Sequence, residues 1–408
     1  MTKVIHLPAP RPGPFAAPRA AMIGGYLIRN PVKAAAMAAF DAGLSLLPTR
    51  RPMVPDQPGA ILFANWAHLG DLTATLGAVR LIRERFPNTR IGYLASSWGQ
   101  VAAANSGLID TIHIVDHVRM NRTTEDQSAK DARHRATLAQ AGEEIRAAGY
   151  NVAIDFYCYF PPAHPLFRRW GIPIRAGFDS AGWGPRLTHP VRWRDRNQPI
   201  SAHYDDLLEV LWPGIVPGLD ALRPQLDPVR IGPLPGPLEG IRPYLVIHPG
   251  AGAPFKDWGQ ARWQALLDAL DRHPRFHGYR IVLTGAGPGE AACTAALAAG
   301  RTGVVDMAGQ ADWAGFVAII AGAKAVICPD TVTGHIAAQV DTPVISLFTG
   351  TNNPHQWAPN AAYGRVLTAG VACAPCYRPG CEVMACIRDI PPAAVVAALE
   401  EVLTPALR

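Results

Sequence analysis

The chain has 408 residues, 49% of them hydrophobic, with 39 prolines and 38 glycines and a formal net charge of +6. That length allows two or three domains at roughly 100–200 residues each, and the Pro and Gly residues punctuate strands and helices rather than forming a low-complexity tract. So mild a positive excess, without a lysine–arginine block or interleaved aromatic and basic residues, argues against a nucleic-acid binder. It suits an acidic small molecule or an anionic membrane surface.

Residues 1–14, with Pro8, Pro10, Pro12 and Pro14, read as irregular and lack the apolar core of a secretory signal. No stretch approaches the roughly 18 uninterrupted apolar residues of a transmembrane helix. Both absences point to the cytoplasm, where the seven cysteines are expected to be reduced or to hold a metal rather than to pair as disulfides. Phe15 to Leu47 reads as an alanine-rich helical segment broken near Asn30-Pro31. Its cations are Arg19, Arg29 and Lys33; its larger apolar residues include Met22, Tyr26, Leu27, Ile28, Met37, Phe40, Leu44, Leu46 and Leu47. Arg50-Arg51 follow. The segment is either an extra helix on the main body or a helix lying on an anionic membrane face.

After a linker carrying Pro48, Pro52, Pro55 and Pro58, an α/β unit begins at Ala60. Strands are predicted at Ile61–Ala64, Ile91–Ala95, Ile112–Val115, Val152–Asp155 and Ile174–Phe178. A helix opens at His68-Leu69-Gly70-Asp71 and runs to about Phe86. The polar segment Val118 to Arg135 reads as a loop leading into a helix that ends near Gly149. A proline-rich stretch, Trp193 to Arg242, contains a helix around Tyr204 to Leu211, and its end reads as an interdomain linker. The pattern then restarts, with strands at Leu245–His248, Arg280–Leu283, Ala325–Cys328 and Val344–Phe348. Helices are predicted at Gln260–Arg272, Gly289–Ala299, Trp313–Ala321 and Thr333–Val340, and a last one at Ala393–Leu403. The division is therefore an N-terminal extension (1–58), two Rossmann-like domains (59–235 and 236–390) facing each other across a cleft, and a C-terminal helix (391–408).

The chemistry-bearing residues collect just after strands, where open α/β sheets bind ligands. Asp71 stands at the first strand-to-helix turn, either as a plain cap or as an ionised carboxylate able to take a proton from a hydroxyl. His248-Pro249-Gly250-Ala251-Gly252-Ala253 precedes Lys256 and Trp258. Such a glycine loop with a lysine suits a phosphate, or is an ordinary turn with a solvated cation. Thr284-Gly285-Ala286-Gly287 is a weaker glycine loop, lacking the three spaced glycines of the dinucleotide fingerprint. In Asp330-Thr331-Val332-Thr333-Gly334-His335, hydroxyls and helix-start amides suit phosphate oxygens, and Asp330 suits sugar hydroxyls. His335 faces the same ligand or is an interior histidine. Cys373, Cys376, Cys381 and Cys386 have the spacing of a tetrahedral thiolate site for zinc or iron, and equally that of reduced structural thiols or disulfides. Cys158, Cys293 and Cys328 read as core.

Several separated motifs in order resemble glycosyltransferase family 9, the ADP-heptose–lipopolysaccharide heptosyltransferases and their relatives. They are Ile61–Asp71 with Leu-Gly-Asp, His248-Pro249-Gly250 through Lys256-Asp257-Trp258, Asp306-Met307-Ala308-Gly309, and Asp330-Thr331 to His335 followed by Thr342-Pro343-Val344. The four-cysteine run also resembles a feature of many members. The resemblance spans roughly Ala60 to Ile390. It implies a GT-B fold with the acceptor on the N-terminal domain and the nucleotide sugar on the C-terminal one. It further implies inversion at the anomeric centre without a metal at the chemical step, Asp71 as general base, Lys256 on the donor diphosphate, and Asp330, Thr331 and His335 along the donor sugar and phosphates.

The expected activity is transfer of heptose from ADP-heptose to a lipopolysaccharide core or similar lipid-linked glycan, on the cytoplasmic face of the inner membrane. The alternatives are a relative using another nucleotide sugar, one that glycosylates a protein such as an autotransporter, or a non-catalytic membrane-docked binding protein. Two departures bear on the donor. Val332 stands where the family usually has glycine, with Gly334 coming later, and Thr349-Gly350-Thr351 replaces Gly-Pro-Thr.

Overall fold

A computed structural model describes residues 2–8, 25–28, 30–193, 197–376 and 381–404. Thirteen strands occur among them: β1 (Lys3–Pro8), β2 (Ala60–Ala64), β3 (Arg90–Ala95), β4 (Thr111–Ile114), β5 (Val152–Asp155), β6 (Ile174–Phe178), β7 (His189–Val191), β8 (Tyr244–Ile247), β9 (Arg280–Leu283), β10 (Val304–Asp306), β11 (Val326–Pro329), β12 (Val344–Leu347) and β13 (Gly364–Gly370). They form two sheets, a six-stranded one in the order β4-β3-β2-β5-β6-β7 and a seven-stranded one in the order β1-β13-β12-β11-β8-β9-β10. Every pairing is parallel. Central strands such as β2, β8, β11 and β12 are buried along their whole length, as expected where helices cover both faces of a parallel sheet.

The chain divides into two compact units at Pro224/Gln225 rather than at residue 235. Leu226 already belongs with the later sheet, its N–H bonding the carbonyl of Gln339 at 2.9 Å. Residues 1–58 do not stand apart as an extension. The stretch expected to be irregular contains β1, which pairs with β13 through the register Lys3↔Arg365 to Pro8↔Gly370 and so belongs to the C-terminal unit. His6 Nδ1 meets Thr368 Oγ1 at 2.8 Å across this pair. The helix Pro31–Ser45 belongs to the N-terminal unit, with Asn30 accepting the Lys33 N–H at 3.1 Å as its cap. Tyr26–Ile28 is not helical; the expected helix from Phe15 to residue 24, with Arg19 and Met22, and Arg29 as well, lies outside the described residues.

The long helix Gln127–Ala148 begins eight residues before the end of the expected loop. Asp126 accepts the Ala129 N–H at 2.8 Å, and the polar run is the wet surface of a helix that buries only Ala141, Gly142 and Ile145. The last helix, Pro392–Val402, is part of the C-terminal unit. Its Val395, Leu399 and Val402 join Leu266, Leu270 and Ile345 in the core. In the N-terminal unit, helix Leu69–Arg85 packs so closely that a Cβ on Gly77 would lie 2.0 Å from the Leu222 carbonyl oxygen. That contact sets the position of the helix carrying Asp71.

Candidate active site

Each sheet has one place where the connectivity reverses direction, and there the loops after neighbouring strands diverge and leave room for a ligand. In the C-terminal unit it lies between β8 and β11, because β8 continues to β9 and β10 on one side while β11 starts the other. Lys256 follows β8 and Asp330 follows β11, and they meet. The Lys256 Nζ is 2.7 Å from Asp330 Oδ2 and donates to the Asp330 carbonyl at 2.9 Å. Two residues on, Trp258 anchors the loop, fully buried and donating its Nε1–H to the Ile390 carbonyl at 3.0 Å. Asn352, after β12, donates to the same Asp330 oxygen at 3.2 Å.

The helix Val332–Gln339 starts beside this pair. Thr331 is its N-cap, its hydroxyl accepting the Thr333 N–H at 3.3 Å. Thr331 and His335 are partly exposed, as a ligand-facing role requires. Thr333 and Gly334 depart from expectation. Thr333 is fully buried, and Gly334 is packed against the sheet, where a Cβ would lie 2.9 Å from Pro359, 3.1 Å from Ser346 and 3.4 Å from Cys328. Gly334 therefore lets the helix approach β11 and β12 and does not replace the family glycine absent at Val332.

Gly250 has the opposite surroundings. A Cβ there would lie 2.2 Å from the Glu290 carboxyl carbon, the far end of a flexible side chain. Glu290 sits in the first turn of helix Gly287–Ala298 and accepts the Ala286 N–H at 2.7 Å. His248 places Nε2 3.9 Å from Glu290 and Nδ1 3.1 Å from Thr284 Oγ1. Burial pushes the His248 pKa down while the Glu290 charge pushes it up, and the net shift is downward, so the imidazole is neutral near pH 7. Gly334→Ala should thus cost about 1–3 kcal/mol of stability through overpacking. Gly250→Ala should leave the melting temperature nearly unchanged but displace Glu290. Thermal melts distinguish the two. Sequence reasoning missed Glu290, although an acid in the turn after a glycine loop was its signal. Asn352 had no signal, because only the adjacency of β11 and β12 brings it to Asp330.

In the N-terminal unit the reversal lies between β2 and β5. Asp71, after β2, is at the third position of its helix rather than the cap. Its Oδ2 accepts the His68 N–H at 3.2 Å, and the residue stays partly exposed. Tyr157, after β5, lies within reach of its field. Burial raises the Tyr157 phenol well above its ordinary value, and the Asp71 charge adds to the rise. The Tyr157 loop is anchored by buried Asp155, which accepts N–H groups of Tyr157 (3.1 Å), Ala163 (2.7 Å) and His164 (3.0 Å). Asp71 thus caps its helix through one oxygen at a ligand-binding position of the sheet.

Of the four cysteines in the C-terminal segment, Cys381 is exposed and Cys373, Cys376 and Cys386 are partly buried. Burial raises the Cys386 thiol, a backbone bond from Gly350 opposes this, and Cys376, Cys373 and Cys381 raise it further. All four thiols therefore share one neighbourhood, against the Thr349–Thr351 loop that leads to Asn352. Cys376 N–H bonds the Gly350 carbonyl at 2.6 Å. Among the described residues no three His, Cys, Asp or Glu side chains are gathered closely enough to hold a metal ion. Residues 377–380, inside the cysteine segment, lie outside the described residues. No helix among the described residues is long and apolar enough to cross a membrane.

The family model for glycosyltransferase family 9 (heptosyltransferase) matches residues 220–386. Lipopolysaccharide heptosyltransferase 3 of Escherichia coli is 36% identical over 308 residues, covering 70% of this chain and 82% of that protein. Lipopolysaccharide heptosyltransferase 1 of Pseudomonas aeruginosa is 33% identical over 142 residues, 34% of this chain and 38% of its own length. Among solved structures, E. coli heptosyltransferase WaaC with ADP superposes at a TM-score of 0.65 and 19% identity, covering 84% of this chain and 99% of that one. E. coli ADP-heptose lps heptosyltransferase II superposes at a TM-score of 0.62 and 19% identity, covering 84% and 98%. These likenesses give the fold as GT-B.

Proposed function

The chain belongs to glycosyltransferase family 9, and from that premise we propose that it is an inverting heptosyltransferase. It moves heptose from ADP-heptose to a lipopolysaccharide core or a related lipid-linked glycan, at the cytoplasmic face of the inner membrane. The observation that carries this reading is the Lys256–Asp330 pair, 2.7 Å apart where the β8 and β11 loops diverge, beside the start of helix Val332–Gln339.

Asp71 takes the proton of the acceptor hydroxyl. The hydroxyl oxygen bonds the anomeric carbon as the bond to the diphosphate breaks, its electron pair leaving with the phosphate oxygen. One such displacement inverts the centre. Lys256 and the amides at the start of helix Val332–Gln339 stabilise the charge growing on the leaving group. Thr331 and His335 lie along the same path, and Asp330 accepts from sugar hydroxyls while holding Lys256 in place. The two oxygens of Glu290 suit a vicinal diol of the donor. No metal takes part in the chemical step. The four cysteines are not gathered closely enough in the structure to hold a metal ion, but drawn together they would make a thiolate set for one zinc or iron ion. Bound there, the metal would stiffen the loop that carries Asn352. Protein purified without added metal is expected to contain about one equivalent of it by elemental analysis, and the Cys373→Ser/Cys376→Ser variant none.

Turnover and thermal shift against a panel of nucleotide sugars test the donor. A ligand at 100 times its Kd stabilises the native state by about 2.7 kcal/mol. ADP-heptose is expected to raise the melting temperature most and to be consumed. Val332 favours one rival, a relative using a different nucleotide sugar. Consumption of such a sugar with ADP-heptose inert would establish that rival instead.

A further inference from the structure

The helix Pro31–Ser45 is apolar on its outward face as well as its inward one, whereas an ordinary surface helix turns a charged side to water. Its inward positions are Ala34, Met37, Ala38, Asp41 and Leu44, at spacings of three and four. Asp41, the only acid of the helix, is buried, accepting Tyr26 O–H and Trp183 N–H at 2.9 Å each. The outward stripe runs Val32, Ala36, Ala39, Gly43, Leu46. Val32 is 75% exposed, Leu46 83% and Met53, just beyond, 92%. An exposed apolar surface of this kind marks an interaction site. Exposed cations stand at the start of the helix and just past its end, Lys33, Arg50 and Arg51, with the exposed acid Asp56 following.

We propose that this face docks the protein on an anionic bilayer surface, with the helix lying in the plane of the interface. Val32, Leu46, Leu47 and Met53 enter the headgroup–acyl boundary, and Lys33, Arg50 and Arg51 meet lipid phosphates. The flanking charge selects lipid over a second copy of the chain. A symmetric dimer through this face would bring Lys33, Arg50 and Arg51 against their own copies, with Asp56 the one exposed acid from residues 30 to 60 to answer them. The lipid-linked acceptor of the proposed function gives the docking its use, while the docking itself stands on the helix alone.

The full-length protein is floated with vesicles of phosphatidylcholine with and without phosphatidylglycerol, in the absence of donor and acceptor. Binding is expected to the anionic vesicles and to weaken with salt. Arg50→Gln/Arg51→Gln should lower that affinity by about 25-fold, about fivefold for each cation. Leu46→Asp/Leu47→Asp should abolish it, with the wild-type melting temperature and wild-type turnover of a delipidated, soluble acceptor. Equal flotation of both variants, or no flotation of the wild type, overturns the proposal. So does a dimer in light scattering that Leu46→Asp/Leu47→Asp dissolves, because the face then belongs to a second copy. Flotation lost in the variants of a protein that turns over no nucleotide sugar supports the docking and removes the heptosyltransferase reading.

Discussion

Asp71→Asn is expected to lower kcat by about 10²–10⁴, the usual contribution of a positioned general base, with little change in KM for the donor. Asparagine keeps an oxygen able to accept the His68 N–H, which Asp71 Oδ2 now accepts at 3.2 Å. The helix start should therefore survive, and far-ultraviolet circular dichroism and the melting temperature should match wild type. Asp71→Ala removes both functions and should add a stability loss of about 0.5–2 kcal/mol from the missing cap. Single-turnover rates with saturating donor separate the effects. A rate for Asp71→Asn within a factor of a few of wild type would assign Asp71 to capping alone.

Lys256→Ala carries the second large effect, about 10²–10³ in kcat/KM. Two losses combine in it, namely the cation proposed to meet the leaving diphosphate and the partner that holds Asp330. The Asp330 side chain is only 10% exposed, so removing Lys256 strands a nearly buried carboxylate. Asp330→Asn in the same chain relieves that strain. Lys256→Ala/Asp330→Asn should thus be more stable than Lys256→Ala in thermal melts yet no more active. Additive melting shifts in the double-mutant cycle would show that the pair is not coupled. Lys256→Arg should restore part of the charge but not the compact geometry.

The strand-to-helix alternation from Ala60 onward was legible because buried parallel strands are short apolar runs, and β2, β5, β8 and β9 appear within one residue of expectation. The positions of Lys256, Asp330 and Thr331 just after strands were legible for the same reason, although their pairing across β8 and β11 was not. Thr333 and Gly334 misled. They share the motif with Thr331, but helical geometry turns them onto the sheet, a matter of packing that a motif does not carry. The start of helix Gln127–Ala148 was hidden by its polarity, and Glu290 and Asn352 gained meaning only when their elements met others in space. β1 was hidden by the prolines that follow it and by the absence of a local partner.

The pairing of β1 with β13 has a consequence for biosynthesis. His6 and Thr368 face each other across 362 residues of chain. At about 5–20 residues per second, roughly 20–70 s separate the emergence of the two strands from the ribosome. The N-terminal unit is complete long before then. Throughout that wait the Val4-Ile5-His6-Leu7 edge has no sheet to join, and β13, when it arrives, presents an open edge until β1 adds to it. Nascent chains held by tags or fusions at the N-terminus should accumulate aggregates that C-terminal fusions do not. Trimming the first fifty residues strips an edge strand from the C-terminal sheet as well as the helix proposed to dock, so point substitutions in the helix are the cleaner test of membrane binding.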